Sequence, residues 1–220
     1  MNDILRLAEL LCARLCHDLA GPLGALIGVL EIAREEDPNS DTLAVAELTT
    51  VELGQRLKLL RAAWGQDAEA LDLDTLQGLT TGLVAGSRAV RLDLTGLAPG
   101  TTFPPPQARL VLNVVLLAAE SLPGGGFIAL AGSPDSFLLV TISGPRAAWP
   151  VGFTASLLDD TAALQTASDN PRHVQAPLTA LLARRLGCQL SMMMPAGMIP
   201  AGAGDAGNLA PPLLLSFGQR

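Results

Sequence analysis

The chain has 220 residues, a formal net charge of −7 and an apolar share of 49% with only 3% aromatics, so it can bury a large aliphatic core. The negative charge disfavours a nucleic-acid backbone as a partner. No uninterrupted apolar run approaches the roughly 18 residues of a membrane span. Three cysteines are too few for a disulfide framework and indicate a reducing compartment. We therefore expect a cytoplasmic protein that engages neither nucleic acid nor membrane.

Residues 1–65 predict an antiparallel helical hairpin. Apolar residues recur every three to four positions from about residue 2 to 36 and again from about 42 to 64. The short break between them, Asp37-Pro38-Asn39-Ser40, forces the two helices to fold back on each other. A lone hairpin cannot bury both apolar faces, whereas a four-helix bundle formed by two copies can. We therefore predict a homodimer.

Residues 66–220 predict a second, α/β domain, in which short strands alternate with helices. This alternation is typical of a mixed sheet with helices on one face, and it makes the whole chain α+β. Residues 144–170 are poorly patterned, and Gly187 is expected to end the last helix in a left-handed conformation. Strands are predicted at 71–73, 89–94, 127–131, 137–143, 188–194 and 213–217, and helices at 74–86, 107–121, 153–160 and 174–186.

The most unusual stretch lies inside the first helix, around His17. Gly21, Gly24 and Gly28 follow at helical spacings on the same side as the imidazole. Each helical glycine costs about 1 kcal/mol relative to alanine, so helix stability does not explain them. We predict that this glycine strip (Gly21, Gly24 and Gly28) lets a partner's backbone approach the imidazole. Arg14, one turn before His17, is either a further docking residue that pairs with a partner's acids or with a phosphoryl group, or a solvated arginine.

The segment His17-Asp18-x-x-x-Pro22-Leu23 resembles the H-box of sensor histidine kinases, in which the histidine is phosphorylated. The rest of the chain is similar in element order to the Bergerat-type ATPase domain of those kinases, with Asn113 at the N-box position. However, Ile142 stands where the adenine-reading aspartate would be, and Arg146 replaces a glycine of the same motif. Without glycines the backbone cannot wrap phosphates, so ATP binding is not expected.

An H-box hairpin followed by a degenerate ATPase-like domain is the pattern of the ChpT-type histidine phosphotransferases of alphaproteobacterial phosphorelays. The resemblance spans nearly the whole chain. It implies a cytoplasmic homodimer that accepts a phosphoryl group from a receiver domain of a hybrid histidine kinase and passes it to another response regulator. His17 would be the phosphorylated residue, and Asp18 would bind or orient its ring. The Mg²⁺ would come from the receiver, since no cofactor or metal site of the chain's own is expected.

Two other functions stay open. An autophosphorylating kinase with a divergent nucleotide site requires measurable ATP affinity, which the missing glycines argue against. A docking module that sequesters a response regulator without chemistry requires no histidine at position 17. Cys12, Cys16 and His17 also suggest a metal site, but a fourth ligand is absent, and we predict apolar packing for the cysteines, with Cys12 on the buried side of the helix.

Overall fold

The computed structural model describes residues 2–35, 40–65, 69–83, 90–169, 174–193 and 209–218. Two long helices, α1 (Asn2–Glu35) and α2 (Ser40–Trp64), pack along each other as the predicted hairpin. Helix α1 passes through Pro22 without a break. Most of the predicted break between the helices, residues 37–40, lies outside the described residues.

The α/β domain follows α2, and most of its predicted elements are present. Between the strand predicted at 89–94 and the helix predicted at 107–121, the structure adds a two-residue strand and an earlier helix start, which has proline in its first turn. The elements in chain order are β1 (Leu71–Asp72), α3 (Leu73–Thr80), a 3₁₀ turn (Thr81–Leu83), β2 (Val90–Leu97), β3 (Thr102–Phe103), α4 (Pro105–Glu120), β4 (Gly126–Gly132), β5 (Phe137–Ser143), α5 (Phe153–Ser156), α6 (Asp160–Asp169), α7 (Gln175–Arg185), β6 (Cys188–Met192) and β7 (Leu213–Phe217).

The main sheet is mixed, as predicted, with the strand order β2-β4-β5-β7-β6. Strands β2 and β4 are parallel, and every other pairing in this sheet is antiparallel. A separate small pair joins β1 to β3. Strand β2 runs three residues past the predicted end at Leu94, through a register shift before Gly96. A Cβ at Gly96 would lie 2.6 Å from the Cβ of Ala131, so this close strand approach requires glycine.

Helix α4 is the centre of the core. All of its residues from Leu110 to Ala118 are buried, against the sheet on one side and against α2 and α7 on others. The last turns of α2 contribute Leu59, Leu60 and Ala63 to the same core cluster. The hairpin and the α/β domain are therefore joined by shared apolar packing and not only by the chain.

The poorly patterned region 144–170 contains two helices, and the single helix predicted at 153–160 was wrong in extent. The first, α5, ends at Ser156, and α6 begins at Asp160. Helix α6 buries the small residues Ala163 and Ala167, which give little hydrophobic periodicity in the sequence. It nevertheless contacts α1, where Ala167 packs with the buried Leu10.

The ends of the other predicted elements differ from the observed ends by a few residues. Helix α3 ends at Thr80, and the last part of the prediction for 74–86 lies outside the described residues. Gly187 has φ +66° directly after α7, which confirms its left-handed conformation. Residues 194–208, which include the last residue of the strand predicted at 188–194, also lie outside the part of the chain that the structure describes.

By length and composition alone, α1 is apolar enough to cross a membrane over Ile4–Arg34, although its apolar residues form no long uninterrupted run. On the same helix, Arg14 forms an ion pair with Glu120 of α4, and Asp18 forms one with Arg56 of α2. It also packs along α2 and α6. These contacts make α1 part of the folded domain, although many of its apolar side chains are exposed.

Candidate functional site

The imidazole of His17 is 85% exposed on α1. On its face of the helix, it lies between a part that is covered by the rest of the protein and a part that is open to solvent. Two turns before it, Leu10 is buried against α6. After it, Gly21 and Gly24 are exposed. A Cβ added at either glycine, or at Gly28, would meet nothing within 4 Å. The α/β domain therefore covers the face on one side of His17, and the glycine strip leaves it open on the other.

The neighbouring Asp18 lies against one nitrogen of the ring. Its Oδ1 is 3.4 Å from His17 Nδ1, a long hydrogen-bond distance. An Nδ1–H group would donate to this carboxylate and leave Nε2 with its lone pair free. The structure therefore brings together the two residues that the sequence proposed as catalytic, with Nε2 as the nitrogen turned away from the acid.

Two arginines hold the Asp18 carboxylate in place, so that only 9% of its side chain is exposed. Arg14 Nε donates to its two oxygens at 2.9 and 3.0 Å, and Arg56 Nη2 donates to Oδ2 at 2.9 Å. Arg14 also donates from Nη2 to Glu120 Oε1 at 2.8 Å. We call Arg56–Asp18–Arg14–Glu120 the ionic chain. It connects α2, α1 and α4 in one line of charge-assisted hydrogen bonds.

Two carboxyl groups share Arg14 in this chain, and their environments move their pKa values in opposite directions. Burial tends to raise the pKa of Asp18, but the charges of Arg14 and then Arg56 outweigh it and lower the pKa below the ordinary value. Burial raises the pKa of Glu120 to about 7, with Arg14 opposing the rise and Asp18 adding to it. Asp18 is therefore ionised at neutral pH, whereas Glu120 titrates close to it.

The structure gives Arg14 a different place from the one expected. Its side chain is 18% exposed and is directed into the ionic chain, so it is neither a solvated arginine nor presented to a docking partner. Arg56 and Glu120 were missed by the sequence analysis. Arg56 lies 38 positions from Asp18 and Glu120 lies 106 positions from Arg14, and helical spacing relates only residues within a few turns.

The positions that resemble nucleotide-site residues have structural roles in this fold. Asn113 is fully buried and donates to the carbonyl oxygens of Ala63 and Arg109 at 2.7 and 2.8 Å. Its Oδ1 accepts from Gln175 Nε2 at 2.9 Å. Ile142 belongs to the hydrophobic core. The amide of Asn113 is thus saturated by internal partners, and it ties α4 to α2 and α7.

The two cysteines near His17 do not pack as predicted. Cys12 and Cys16 are both exposed in a single copy of the chain, so the prediction that Cys12 lies on the buried side of α1 was wrong within one protomer. Within the described ranges, no group of three or more His, Cys, Asp or Glu side chains is arranged to bind a metal ion.

Comparison with known proteins assigns the fold to a family. A family model described as the histidine phosphotransferase C-terminal domain matches residues 73–196, more than half of the chain. The chain belongs to the histidine phosphotransferase family. The protein phosphotransferase ChpT of Brucella abortus (strain 2308) is 29% identical over 194 residues, which cover 86% of this chain and 90% of that protein. This similarity confirms the resemblance to the ChpT type.

A solved bacterial phosphotransferase has the same fold as this phosphotransferase. The two structures match with a TM-score of 0.68 and 23% sequence identity over 96% of each chain. The α+β class is therefore confirmed, with the helical hairpin preceding an ATPase-like sandwich. The family model itself begins in α3, after the hairpin. The assignment of His17 therefore rests on its sequence motif and its geometry.

Proposed function

We propose that the phosphotransferase acts in a multistep phosphorelay, in which it takes a phosphoryl group from an aspartyl phosphate of one receiver domain and passes it to an aspartate of a second. The observation that supports this most is the placement of His17. Its ring is 85% exposed, stands next to an open strip of glycines and has an ionised carboxylate on its Nδ1 side.

The chemistry follows from that placement. Nε2 of a neutral His17 attacks the phosphorus of the aspartyl phosphate, so that an N–P bond forms as the acyl P–O bond breaks and the receiver's carboxylate leaves. Asp18 accepts a hydrogen bond from Nδ1–H and stabilises the positive charge that develops on the ring. Such loose transfers depend on in-line positioning and charge neutralisation, and a Mg²⁺ ion in the receiver's acidic pocket supplies part of the latter. The second transfer reverses these steps with another receiver.

The glycine strip supports receiver docking in this scheme. Because a Cβ at Gly24 would point into open space, the helix backbone itself is the surface that a partner meets. Close backbone approach brings an aspartyl phosphate, which is short, within reach of the imidazole. We therefore retain Gly21, Gly24 and Gly28 as docking residues and assign Arg14 to the ionic chain.

A second copy of the chain is the proposed partner for the outer face of α1. This face carries an exposed seam whose residues lie four or seven positions apart, as one edge of the heptads in helical bundles does. Leu23 and Leu30 are 47% and 45% exposed there, which is unusual for leucines in a folded helix. Burying the seam in a four-helix bundle makes the protein a homodimer, and the compartment we propose is the cytoplasm. The exposed seam residues are Leu5, Cys12, Cys16, Leu23 and Leu30.

The experiment that tests the function uses labelled ATP alone and then a panel of phosphorylated receiver domains. We expect label on the phosphotransferase only with phosphorylated receivers, retained in His173→Ala and lost in His17→Ala. Label from ATP alone would identify a kinase instead. Receiver binding without label on any variant would identify a docking module.

A further inference from the structure

The ionic chain reaches from the α/β domain to the residue beside the phosphoryl acceptor. Glu120 is the last residue of α4, the helix that organises the core of that domain. Its carboxylate binds Arg14, and Arg14 binds Asp18, whose Oδ1 faces His17 Nδ1. The α/β domain thus contacts the reacting ring through only two intermediate side chains.

The contact between Asp18 and His17 is not a consequence of helix geometry. Successive side chains on a helix point about 100° apart, so a free Asp18 would have no reason to lie against the neighbouring ring. Arg56, on α2, donates to Oδ2 of the Asp18 carboxylate. Arg14, one helical turn before Asp18, donates to both of its oxygens. Arg14 has its own position fixed by Glu120. The position of Asp18 is therefore set by groups on three helices.

We propose that Arg56 and Glu120 are positioning residues for transfer at His17. Arg56 acts directly on Asp18, and Glu120 acts through Arg14. Together they keep the carboxylate on the Nδ1 side of the ring, so that the proton stays on Nδ1 and Nε2 faces the incoming phosphoryl group. This inference rests on the proposed function. It gives the α/β domain a part in the transfer that requires no nucleotide.

The first test measures the tautomer of His17 directly. The chain has two histidines, so a His173→Gln background leaves His17 as the sole imidazole for nitrogen NMR. We expect the Nδ1–H tautomer to dominate in this background and to lose population in Arg56→Gln. Arg56→Lys keeps a cation beside Asp18 and should restore much of it. Arg61→Gln, which removes an exposed arginine from the same helix, is the matched control and should leave the tautomer unchanged.

The second test measures single-turnover transfer from a phosphorylated receiver. We expect Arg56→Gln to slow it about tenfold, since catalysis of this kind depends on the position of the reacting groups. Glu120→Ala should slow it roughly threefold, because Glu120 acts one hydrogen bond further away. Glu120→Gln retains an acceptor oxygen for Arg14 and should recover much of the rate that Glu120→Ala loses. Thermal melts of every variant separate these effects from unfolding.

The outcomes separate this inference from the function on which it rests. An unaltered protein that receivers never label would contradict the proposed function. A labelled unaltered protein, together with unchanged tautomer and rate in folded Arg56→Gln and Glu120→Ala, would overturn the positioning role alone. A rate loss in Arg56→Gln without any change of tautomer would also overturn it, because Arg56 would then act by another route.

Discussion

Arg14 Nη2 lies 2.8 Å from Glu120 Oε1 and joins the acceptor helix to the α/β domain across 106 positions of sequence. The same guanidinium binds Asp18, so two acids share one arginine, and one of them, Asp18, lies 3.4 Å from Nδ1 of the exposed His17. The more strongly paired acid keeps its charge, and the other is protonated far more readily. This arrangement links the stability of the domain contact to pH.

Glu120→Gln should change how stability depends on pH. The pKa of Glu120 is raised from 4.5 to about 7 in the folded protein, so the folded state binds this proton more tightly than the unfolded chain does. Protonation of Glu120 therefore stabilises the folded state fully below pH 4.5. This contribution to the free energy of unfolding, up to about 3 kcal/mol, is lost as the pH rises through about 7. Removing the titrating group should flatten this fall. Urea unfolding at several pH values measures the free energy of unfolding, and Glu52→Gln is the exposed control. If the free energy of unfolding falls equally steeply with pH in Glu120→Gln and in the unaltered protein, the prediction is wrong.

Asp18→Asn should impair both stability and transfer. The amide leaves Arg14 and Arg56 facing each other without a countercharge in a partly buried site, and we expect a loss of about 2 kcal/mol in the free energy of unfolding. It also removes the ionised acceptor for Nδ1–H, so transfer should slow at least about tenfold. Denaturant titration and single-turnover transfer measure the two effects. Glu31→Gln, an exposed change on the same helix, should alter neither, and an active Asp18→Asn protein would remove Asp18 from the mechanism.

Gly24→Leu should block docking while it leaves the protein folded and dimeric. A Cβ at this position meets nothing within 4 Å, and helix propensity gains up to about 1 kcal/mol. It would stand on the surface that a receiver must approach, so transfer should fall more than about tenfold. Gly78→Leu on α3 makes the same change at an equally open helical site away from His17, and it should transfer normally. Unchanged transfer by a dimeric Gly24→Leu protein would refute the role of the glycine strip.

Leu23→Asp should convert the proposed homodimer to monomers. A charge on the seam must be desolvated when the bundle forms, while in the isolated protomer this position is already 47% exposed. Sedimentation analysis reads the mass, and circular dichroism checks that the helices persist. Leu158→Asp, at a leucine that is 76% exposed in the α/β domain, is the control and should stay dimeric. If the Leu23→Asp protein is still dimeric, the seam on α1 is not the dimer interface.

The elements that sequence predicts well are those with a strong periodic pattern. Both hairpin helices and the hairpin strands β4 and β5 were correct to within a few residues, because their leucines, valines and isoleucines recur at fixed spacings. Helix α6 was missed since it packs through alanines, which differ little in hydropathy from their neighbours. The density of large apolar residues therefore limits what can be predicted.

The site shows the same division between local and distant information. His17, Asp18 and the glycine strip lie within one helix, so a motif and its spacing are sufficient to find them. Arg56 and Glu120 reach the site only after the hairpin closes and α4 packs against α2. The hydrophobic periodicity of a single segment does not predict contacts between residues that are far apart in the sequence. Arg14 was misplaced for this reason, because its acidic partner on α4 was not foreseeable.

The half-covered face around His17 has a kinetic consequence. Helix α6 packs against α1 on one side of the ring, and the glycine strip is open on the other, so we expect each protomer to bind one receiver at a time. In the proposed relay a donor receiver must leave before an acceptor receiver binds, so we expect ping-pong kinetics with phosphohistidine as the stored intermediate. Excess unphosphorylated donor then competes with the acceptor for the same place. We therefore expect the rate of phosphoryl transfer to the acceptor to depend on the relative concentrations of the two receivers.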